Sequence, residues 1–179
     1  MKEIELPFFG VVNLDVDEES DHDIEIEING HKVSVDLNME PLKEGESPES
    51  IASNLKATLE QLAELECTAH DAIHSNYQHK EGAVDNHLED WLYNLEEGME
   101  FVEPKVQSAI ANGTRKEKKD RLFKFLRINR IGLYPSEANF IVCDYNFWPD
   151  PEFKYGYCDE YVVVSFNKKR AINEVSTEG

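Results

Sequence analysis

The sequence has few cysteines, few basic residues and no long apolar run. Its 179 residues include three cysteines, Cys67, Cys143 and Cys158, an odd number without a CxxC spacing. This pattern argues against a disulfide framework and against a thiolate zinc site. The opening segment MKEIELPFFGVVNL is acidic, and no apolar stretch follows a basic one. The sequence therefore predicts neither a signal peptide nor a transmembrane helix, and we expect a cytoplasmic protein.

Common enzyme signatures are also missing. The sequence contains no GxGxxG fingerprint, no GxxxxGK[ST] phosphate loop and no GxSxG elbow. Nucleotide binding and serine hydrolysis therefore lack their usual motifs. Cys143 lies in an apolar segment, which favours a small buried hydrophobe over a nucleophile. We expect no catalytic residues and no cofactor.

Charge is the compositional outlier of the chain. It contains 37 acidic and 18 basic residues, a net charge of −19. Residues 1–104 carry 27 acids and 5 bases, a net of −22, whereas residues 105–179 carry 10 acids and 13 bases, a net of +3. The first part would repel nucleic acids and anionic membranes, and it would attract and steer a basic protein. Acidity can also serve solubility alone.

The segment DIEIEINGHKVSVDLNM predicts a β-hairpin. Apolar and polar residues alternate on both sides of Asn29 and Gly30, which is the strongest short-range hairpin signal. A two-residue turn at this pair places Ile26 opposite Val33. Both strands then turn the same apolar face inward.

The other face of this hairpin is mainly acidic. The same register places Glu27 opposite Lys32, but Asp23 opposite Asp36. The preceding connection DVDEESDHD is acidic too, yet it lacks the central glycine and the distal glutamate of an EF-hand loop. We expect these two segments to bind a partner rather than a metal. The predicted partner-binding residues are Asp15, Asp17, Glu18, Glu19, Asp21, Asp23, Glu25 and Asp36.

The middle of the chain, residues 47–112, reads as helical. Ser47 followed by Pro48 is typical of an N-cap with proline at the first helical position. Apolar residues then recur at threes and fours through ASNLKATLEQLAELECTAHDAI, which predicts one long helix with a weak point near Cys67. A second amphipathic helix follows around Trp91, and EPKVQSAIANG predicts a short third one.

The last part, residues 113–179, begins with the basic segment RKEKKDRLFKFLRINR and continues with strand-like runs. On a chain this acidic, a basic helix is expected to pair with the chain's own acids rather than with nucleic acid. Together with the strands of residues 1–40, the pattern predicts a single α+β domain over residues 1–179. Its antiparallel sheet is built from N-terminal and C-terminal strands, with the central helices packed on one face.

The segment HDAIH, residues 70–74, is close to the HExxH motif of zinc peptidases. His70 and His74 stand four apart, and His79 and His87 follow. A zincin has glutamate directly after its first histidine, where this chain has Asp71. Helical spacing places the first pair beside the apolar stripe rather than in it, so we expect polar surface residues. The alternative is a metal-dependent hydrolase that uses these four histidines, with the aspartate as its base.

The order of motifs FFGVVNL, NGHKVSVDL, HLEDW, INRIGLYP, FIVCDYNF and DEYVVVSFN resembles the bacterial family catalogued as domain of unknown function two-thousand-and-four. The likeness covers nearly the whole chain. The closing hairpin departs from it, with Lys168, Lys169 and Arg170 where the family pattern has a loop ending in glycine. The resemblance implies no catalytic residues.

Small acidic bacterial domains also occur as immunity proteins beside secreted toxins. We therefore expect a non-enzymatic immunity protein that occludes a basic toxin domain such as a nuclease. The alternatives are the metal-dependent hydrolase and a constitutive cytosolic protein whose acidity serves solubility alone.

Overall fold

The computed structural model describes residues 3–14, 19–43, 45–98, 103–147 and 160–179, which form strands and helices as follows. The strands are β1 Glu3–Leu6, β2 Gly10–Asn13, β3 Ser20–Ile28, β4 His31–Met39, β5 Leu126–Leu133, β6 Ile141–Phe147, β7 Tyr161–Phe166 and β8 Ile172–Glu178. The helices are α1 Pro48–Leu59, α2 Leu62–Gln78, α3 Ala83–Glu97, α4 Pro104–Ile110 and α5 Arg115–Phe123. In these ranges, no helix has both the length and the apolar character that a membrane span requires.

Strands β3 to β8 form one six-stranded sheet in sequence order, and β1 pairs with β2 in a separate hairpin. The neighbours in the large sheet are antiparallel except β4 and β5, which are parallel. All the described helices lie between these two strands in sequence, because a parallel pair needs a long crossover connection. The predicted α+β class is confirmed, with N-terminal and C-terminal strands around a helical middle.

The β3–β4 hairpin follows the predicted register, with Ile26 opposite Val33. Asn29 and Gly30 have φ angles of 50° and 82°, as a two-residue turn of type I′ requires. The side-chain amide of Asn29 donates a hydrogen bond of 2.6 Å, from Nδ2, to the carboxylate of Glu66 on α2. The turn is therefore attached to the helical layer.

The core lies between the helices and the inner face of the large sheet. Val33 and Val35 of β4 are fully buried in the same apolar cluster as Leu55 of α1, Ile73 of α2 and Leu88 of α3. On β4, burial alternates as a half-covered strand requires, with every second residue turned to the core, whereas the residues 162–166 of β7 are all buried. The helices thus occupy one face of the sheet.

The predicted long helix is two helices, and the expected weak point near Cys67 was wrong. The chain breaks at Glu60 and Gln61, between α1 and α2, and Cys67 lies inside α2. Leu59 before the break and Leu62 after it are both buried, so the apolar stripe continues from α1 into α2. Ser47 caps α1 as predicted, accepting a hydrogen bond from the Ser50 amide.

The segment PFFGVVNL contains the turn and the second strand of the β1–β2 hairpin. Pro7, Phe8 and Phe9 make the turn, and β2 begins at Gly10. Phe8 has a φ angle of 68°, and the Phe9 amide donates to the Pro7 carbonyl at 2.8 Å. A turn this tight reverses the chain within three residues. The apolar residues of the segment are typical of a strand, so the sequence does not indicate the turn.

Candidate protein-binding face

Alternate residues of the six-stranded sheet point away from the helices and form its outer face. The strand pairing places one residue from each of β3 to β7 in a row across this face. The row consists of Glu25, Ser34, Arg130, Asp144 and Val163. Within the described ranges the outer face carries eight acidic and three basic residues. These charged residues are Asp21, Asp23, Glu25, Glu27, Lys32, Asp36, Arg127, Arg130, Asp144, Glu174 and Glu178.

The four acids of β3 form one exposed border of the outer face. Lys32 on β4 lies opposite Glu27, as predicted, but its Nζ contacts the Glu25 carboxylate at 3.0 Å. Both side chains are well exposed, so this ion pair contributes little to stability. No base of the described ranges forms an ion pair with Asp21, Asp23 or Glu27. The border therefore keeps most of its negative charge.

Arg130 occupies the centre of the outer face. Its guanidinium donates to Asp36, to Asp144 at 3.0 Å and to the Tyr134 hydroxyl at 2.7 Å. Burial opposes its charge, but the hydrogen bonds to these partners outweigh burial and raise the pKa of Arg130. This base is thus fixed by its own chain and is not free to attract an anion.

Tyr134 reaches Arg130 because Gly132 has no side chain. A Cβ atom at Gly132 would lie 2.6 Å from the Tyr134 ring, closer than two carbon atoms can approach. The ring also lies near the guanidinium, 6.0 Å from ring centroid to Cζ of Arg130. Burial raises the pKa of the Asp144 carboxyl, with Arg130 acting in the opposite direction. The centre of the face is therefore a hydrogen-bonded cluster around Arg130, and carboxylates that form no ion pair within the described ranges lie at its border on β3.

The structure places part of the predicted partner-binding set on this face. Glu19, Asp21, Asp23 and Glu25 are exposed, the last three on the outer face of β3. Asp36 shares the face, but its carboxylate is bound by Arg130 and by the Ser34 hydroxyl at 2.8 Å. The other three predicted residues, Asp15, Asp17 and Glu18, lie outside the described residues.

Four acids of the outer face are absent from the predicted partner-binding set. The hairpin pattern placed Glu27 on this face, opposite Lys32, but Glu27 was not counted as a contact residue. Asp144, Glu174 and Glu178 join the face only through the order and register of β6, β7 and β8. No local signal in the sequence gives that order.

The basic helix α5 packs beside α3 and pairs with its acids, as predicted. Lys119 lies 2.5 Å from Asp85, and Lys118 lies 2.6 Å from Glu96. Arg115 binds Glu96 at 2.8 Å and also contacts Glu89. We call these residues the α3–α5 cluster, which consists of Asp85, Glu89, Glu96, Arg115, Lys118 and Lys119.

The four histidines of the alternative metal site do not assemble. His70 and His74 are exposed on α2, with ring centroids 6.4 and 5.9 Å from that of Phe123. His79 is exposed where α2 ends, whereas His87 is buried on α3. In the described part of the chain, no group of three or more histidine, cysteine, aspartate or glutamate side chains is arranged to hold a metal. Asp71, the proposed base, is exposed on α2.

His87 has a packing role. Its ring stacks on Phe147 of β6 at 5.3 Å between centroids, and its Nδ1 lies 3.1 Å from the Glu160 carboxylate. Burial lowers the pKa of His87, although Glu160 acts in the opposite direction. The position of His87 near the edge of the apolar stripe of the second amphipathic helix favours a packing residue, and α3 turns this side chain toward the sheet.

Two of the three cysteines are described. Cys143 is fully buried in β6, and burial raises the pKa of its thiol, which makes it a poor nucleophile. Cys67 is exposed on α2, and both thiols are free. Cys158 lies outside the described residues.

Comparison with protein-family models, with curated proteins and with solved structures returned no match. The resemblance to the family catalogued as domain of unknown function two-thousand-and-four stays a prediction. The outer face of the sheet is the feature from which a function is argued.

Proposed function

We propose that the protein is a non-enzymatic binding protein whose acidic outer face receives a basic protein domain. The observation that carries this proposal is the distribution of charge on that face. Two of its three bases, Lys32 and Arg130, contact acids of the same face, and the third, Arg127, lies opposite Asn146 on β6. The border residues Asp21, Asp23 and Glu27 keep their charge for a partner. Such a surface steers a basic protein toward it and raises the rate of association.

The most concrete form of this function is that of an immunity protein. A nuclease toxin holds phosphate with lysine and arginine, and these residues would pair with the carboxylates of β3. Asp21, Asp23 and Glu25 would form the centre of the contact, and Glu19, Asp15, Asp17 and Glu18 belong to the same predicted set of binding residues. The toxin would be neutralised because its substrate-binding bases are covered. We place this binding in the cytoplasm.

Co-expression with the product of the adjacent upstream gene tests the proposal. We expect the two proteins to co-purify at low salt and the association rate to fall as salt rises, because screening weakens long-range attraction. If no complex forms at either low or moderate salt, the proposed function is wrong. An acidity that serves solubility alone would give that result.

A pair of charge-matched variants tests the position of the contact. The double variant Asp23→Lys with Glu25→Lys reverses two carboxylates on β3, and Glu64→Lys with Asp71→Lys reverses two exposed carboxylates on α2. We expect the first to raise the Kd for that gene product about a hundredfold, from roughly 1.5 kcal/mol per lost charge pair. We expect less than about a threefold change from the second. Equal effects would mean attraction by net charge without a defined face.

A further inference from the structure

The edge of β3 that faces away from β4 has no partner strand in the described part of the chain. β3 stands first in the order of the six-stranded sheet. Its pairing with β4 is continuous over nine residue pairs from Ser20–Met39 to Ile28–His31. By contrast, β8 at the other edge shifts register against β7 between Ser165 and Phe166. An irregular edge pairs poorly with a further strand, whereas a regular edge is a template for one.

The turn of the hairpin fixes which backbone groups of β3 face this edge. A two-residue turn is closed by a hydrogen-bonded pair, here Ile28 with His31. Hydrogen-bonded and non-hydrogen-bonded pairs alternate along an antiparallel ladder. Ile26 and Ile24 therefore direct their N–H and C=O groups to β4. The residues that direct theirs to the free edge are Asp21, Asp23, Glu25 and Glu27.

The apolar side of β3 is incompletely covered. Ile24 and Ile26 are partly exposed, whereas Val33 and Val35, opposite them on β4, are fully buried. An additional strand beside β3 would bury the remaining apolar surface, as β5 does for β4. The edge thus offers backbone groups, acidic side chains on one face and apolar side chains on the other.

We propose that the free edge of β3 accepts an extended segment of the basic partner in which lysine or arginine alternates with apolar residues. The inference rests on the proposed function, which it deepens by naming the form of the bound segment. In an antiparallel addition, the residues opposite Asp21, Asp23, Glu25 and Glu27 turn their side chains to the outer face. Each lysine or arginine there meets a carboxylate about 5.5 Å away between Cα atoms. The intervening apolar residues lie beside Ile24.

The same alternation disfavours a second copy of this chain as the occupant. Two β3 edges paired antiparallel would place carboxylates opposite carboxylates on one face. Like charges directly opposite each other destabilise a strand pair. Charged edges are a common protection against self-association of sheets. The edge is therefore selective for a segment of opposite charge.

Amide hydrogen exchange of the wild-type chain, followed by NMR, tests the inference with the peptide Lys-Val-Lys-Val-Lys-Val-Lys. We expect the amides of Asp21, Asp23, Glu25 and Glu27 to exchange at least about tenfold more slowly when the peptide is bound. The amides of Ile24 and its neighbours on the same face are already bonded to β4 and should change little. Binding without this alternating protection overturns edge pairing.

Two control peptides separate strand addition from simple attraction. The first has four lysines followed by three valines and keeps the composition without the alternation. The second is the alternating peptide with N-methylated lysine amides, which keeps the charge but cannot donate to β3. We expect both to bind at least about tenfold more weakly than the alternating peptide. Equal affinities for all three overturn the inference.

The affinities of the variants Asp23→Pro and Asp23→Asn for the partner encoded upstream test edge pairing with the whole protein. Both remove one negative charge, but only proline removes the edge-facing N–H, and neither removes a bond to β4. We expect the proline variant to bind at least about tenfold more weakly than the asparagine variant. If the two variants bind alike while Asp23→Lys with Glu25→Lys weakens binding, edge pairing is wrong and the proposed function stands. If the wild type binds no basic partner, both are wrong.

Discussion

Acids of α3 form ion pairs with bases of the same chain, whereas in the described ranges most acids of β3 do not. In the α3–α5 cluster, Asp85, Glu89 and Glu96 are each bound by a base from α5. On the outer face, Asp23 stands opposite Asp36. The chain brings its bases to one group of acids and leaves the other largely without them. The outer face of the sheet therefore keeps a net negative charge that the α3–α5 cluster does not.

This difference separates two uses of acidic residues. A carboxylate that its own chain already binds gains little from a partner, because the partner must first break that ion pair. A carboxylate held beside another one gains both a counter-charge and relief from repulsion. The three tests that follow ask whether the energetics differ between the two regions as the contacts do.

Removal of Arg130 should have the largest effect on stability. The variant Arg130→Ala leaves the carboxylates of Asp36 and Asp144 close together without their base, and their side chains are only 20% and 14% exposed. We expect a loss of about 2 kcal/mol in the free energy of unfolding, measured in urea near neutral pH. The matched change in the α3–α5 cluster, Arg115→Ala, should cost less than about 1 kcal/mol because its ion pairs are more exposed. A larger loss for Arg115→Ala would contradict the comparison.

Neutralisation of single acids should change stability in opposite directions. Asp23→Asn relieves the repulsion across the strand pair with Asp36, and we expect a gain of about 0.5 kcal/mol. Glu89→Gln removes the ion pairs with Arg115 and Lys119, and we expect a loss of about 0.5 kcal/mol. Urea unfolding of both variants beside the wild type measures these differences. The same sign for both would remove the distinction between the regions.

Titration should show the smallest effect, again with opposite signs. The hydrogen bond from Arg115 lowers the pKa of Glu89, and the one from Lys118 lowers the pKa of Glu96. These two carboxylates stabilise the fold above the ordinary pKa of glutamate, and this stability is lost as pH falls through their folded pKa values. Burial raises the pKa of Asp144, so its contribution is present below the ordinary pKa of aspartate and is lost as pH rises through the folded value.

NMR of the side-chain carboxyl carbons measures these pKa values residue by residue. We expect Glu89 and Glu96 to titrate below the ordinary glutamate value and Asp144 above the ordinary aspartate value. The variant Arg130→Ala should raise the pKa of Asp144 further, because the base that opposes burial is gone. A midpoint for Asp144 below the ordinary value would show that Arg130 dominates there, against the direction stated here.

Local patterns in the sequence predicted local structure well. Alternation around Asn29 and Gly30 gave the register of β3 and β4, because a two-residue turn leaves one way to place both apolar sets inward. Ser47 with Pro48 gave the start of α1. The pairing of the basic helix with the chain's own acids followed from charge. α5 is rich in bases, and a basic helix in an acidic chain is attracted to the chain's own carboxylates.

Long-range structure was not readable in the same way. Nothing near β4 or β5 in sequence indicates that they are parallel neighbours. The sequence of the helices between them does not show beside which strand the chain re-enters the sheet. The centre of the outer face depends on that return, since Asp36 and Arg130 are 94 positions apart. The break at Glu60 was missed because helical periodicity continues through both helices.

The parallel pair of β4 and β5 has a consequence for synthesis on the ribosome. The β3–β4 hairpin emerges first, and the residue that will face Asp36 follows 94 positions later. Until then β4 also has an open edge, and nascent chains on one polysome are close enough to pair through such edges. Asp36 on β4 and the alternating acids of β3 oppose that pairing by repulsion. The charge that is proposed to attract a partner would thus first act on sister chains, keeping each one single until its own β5 arrives.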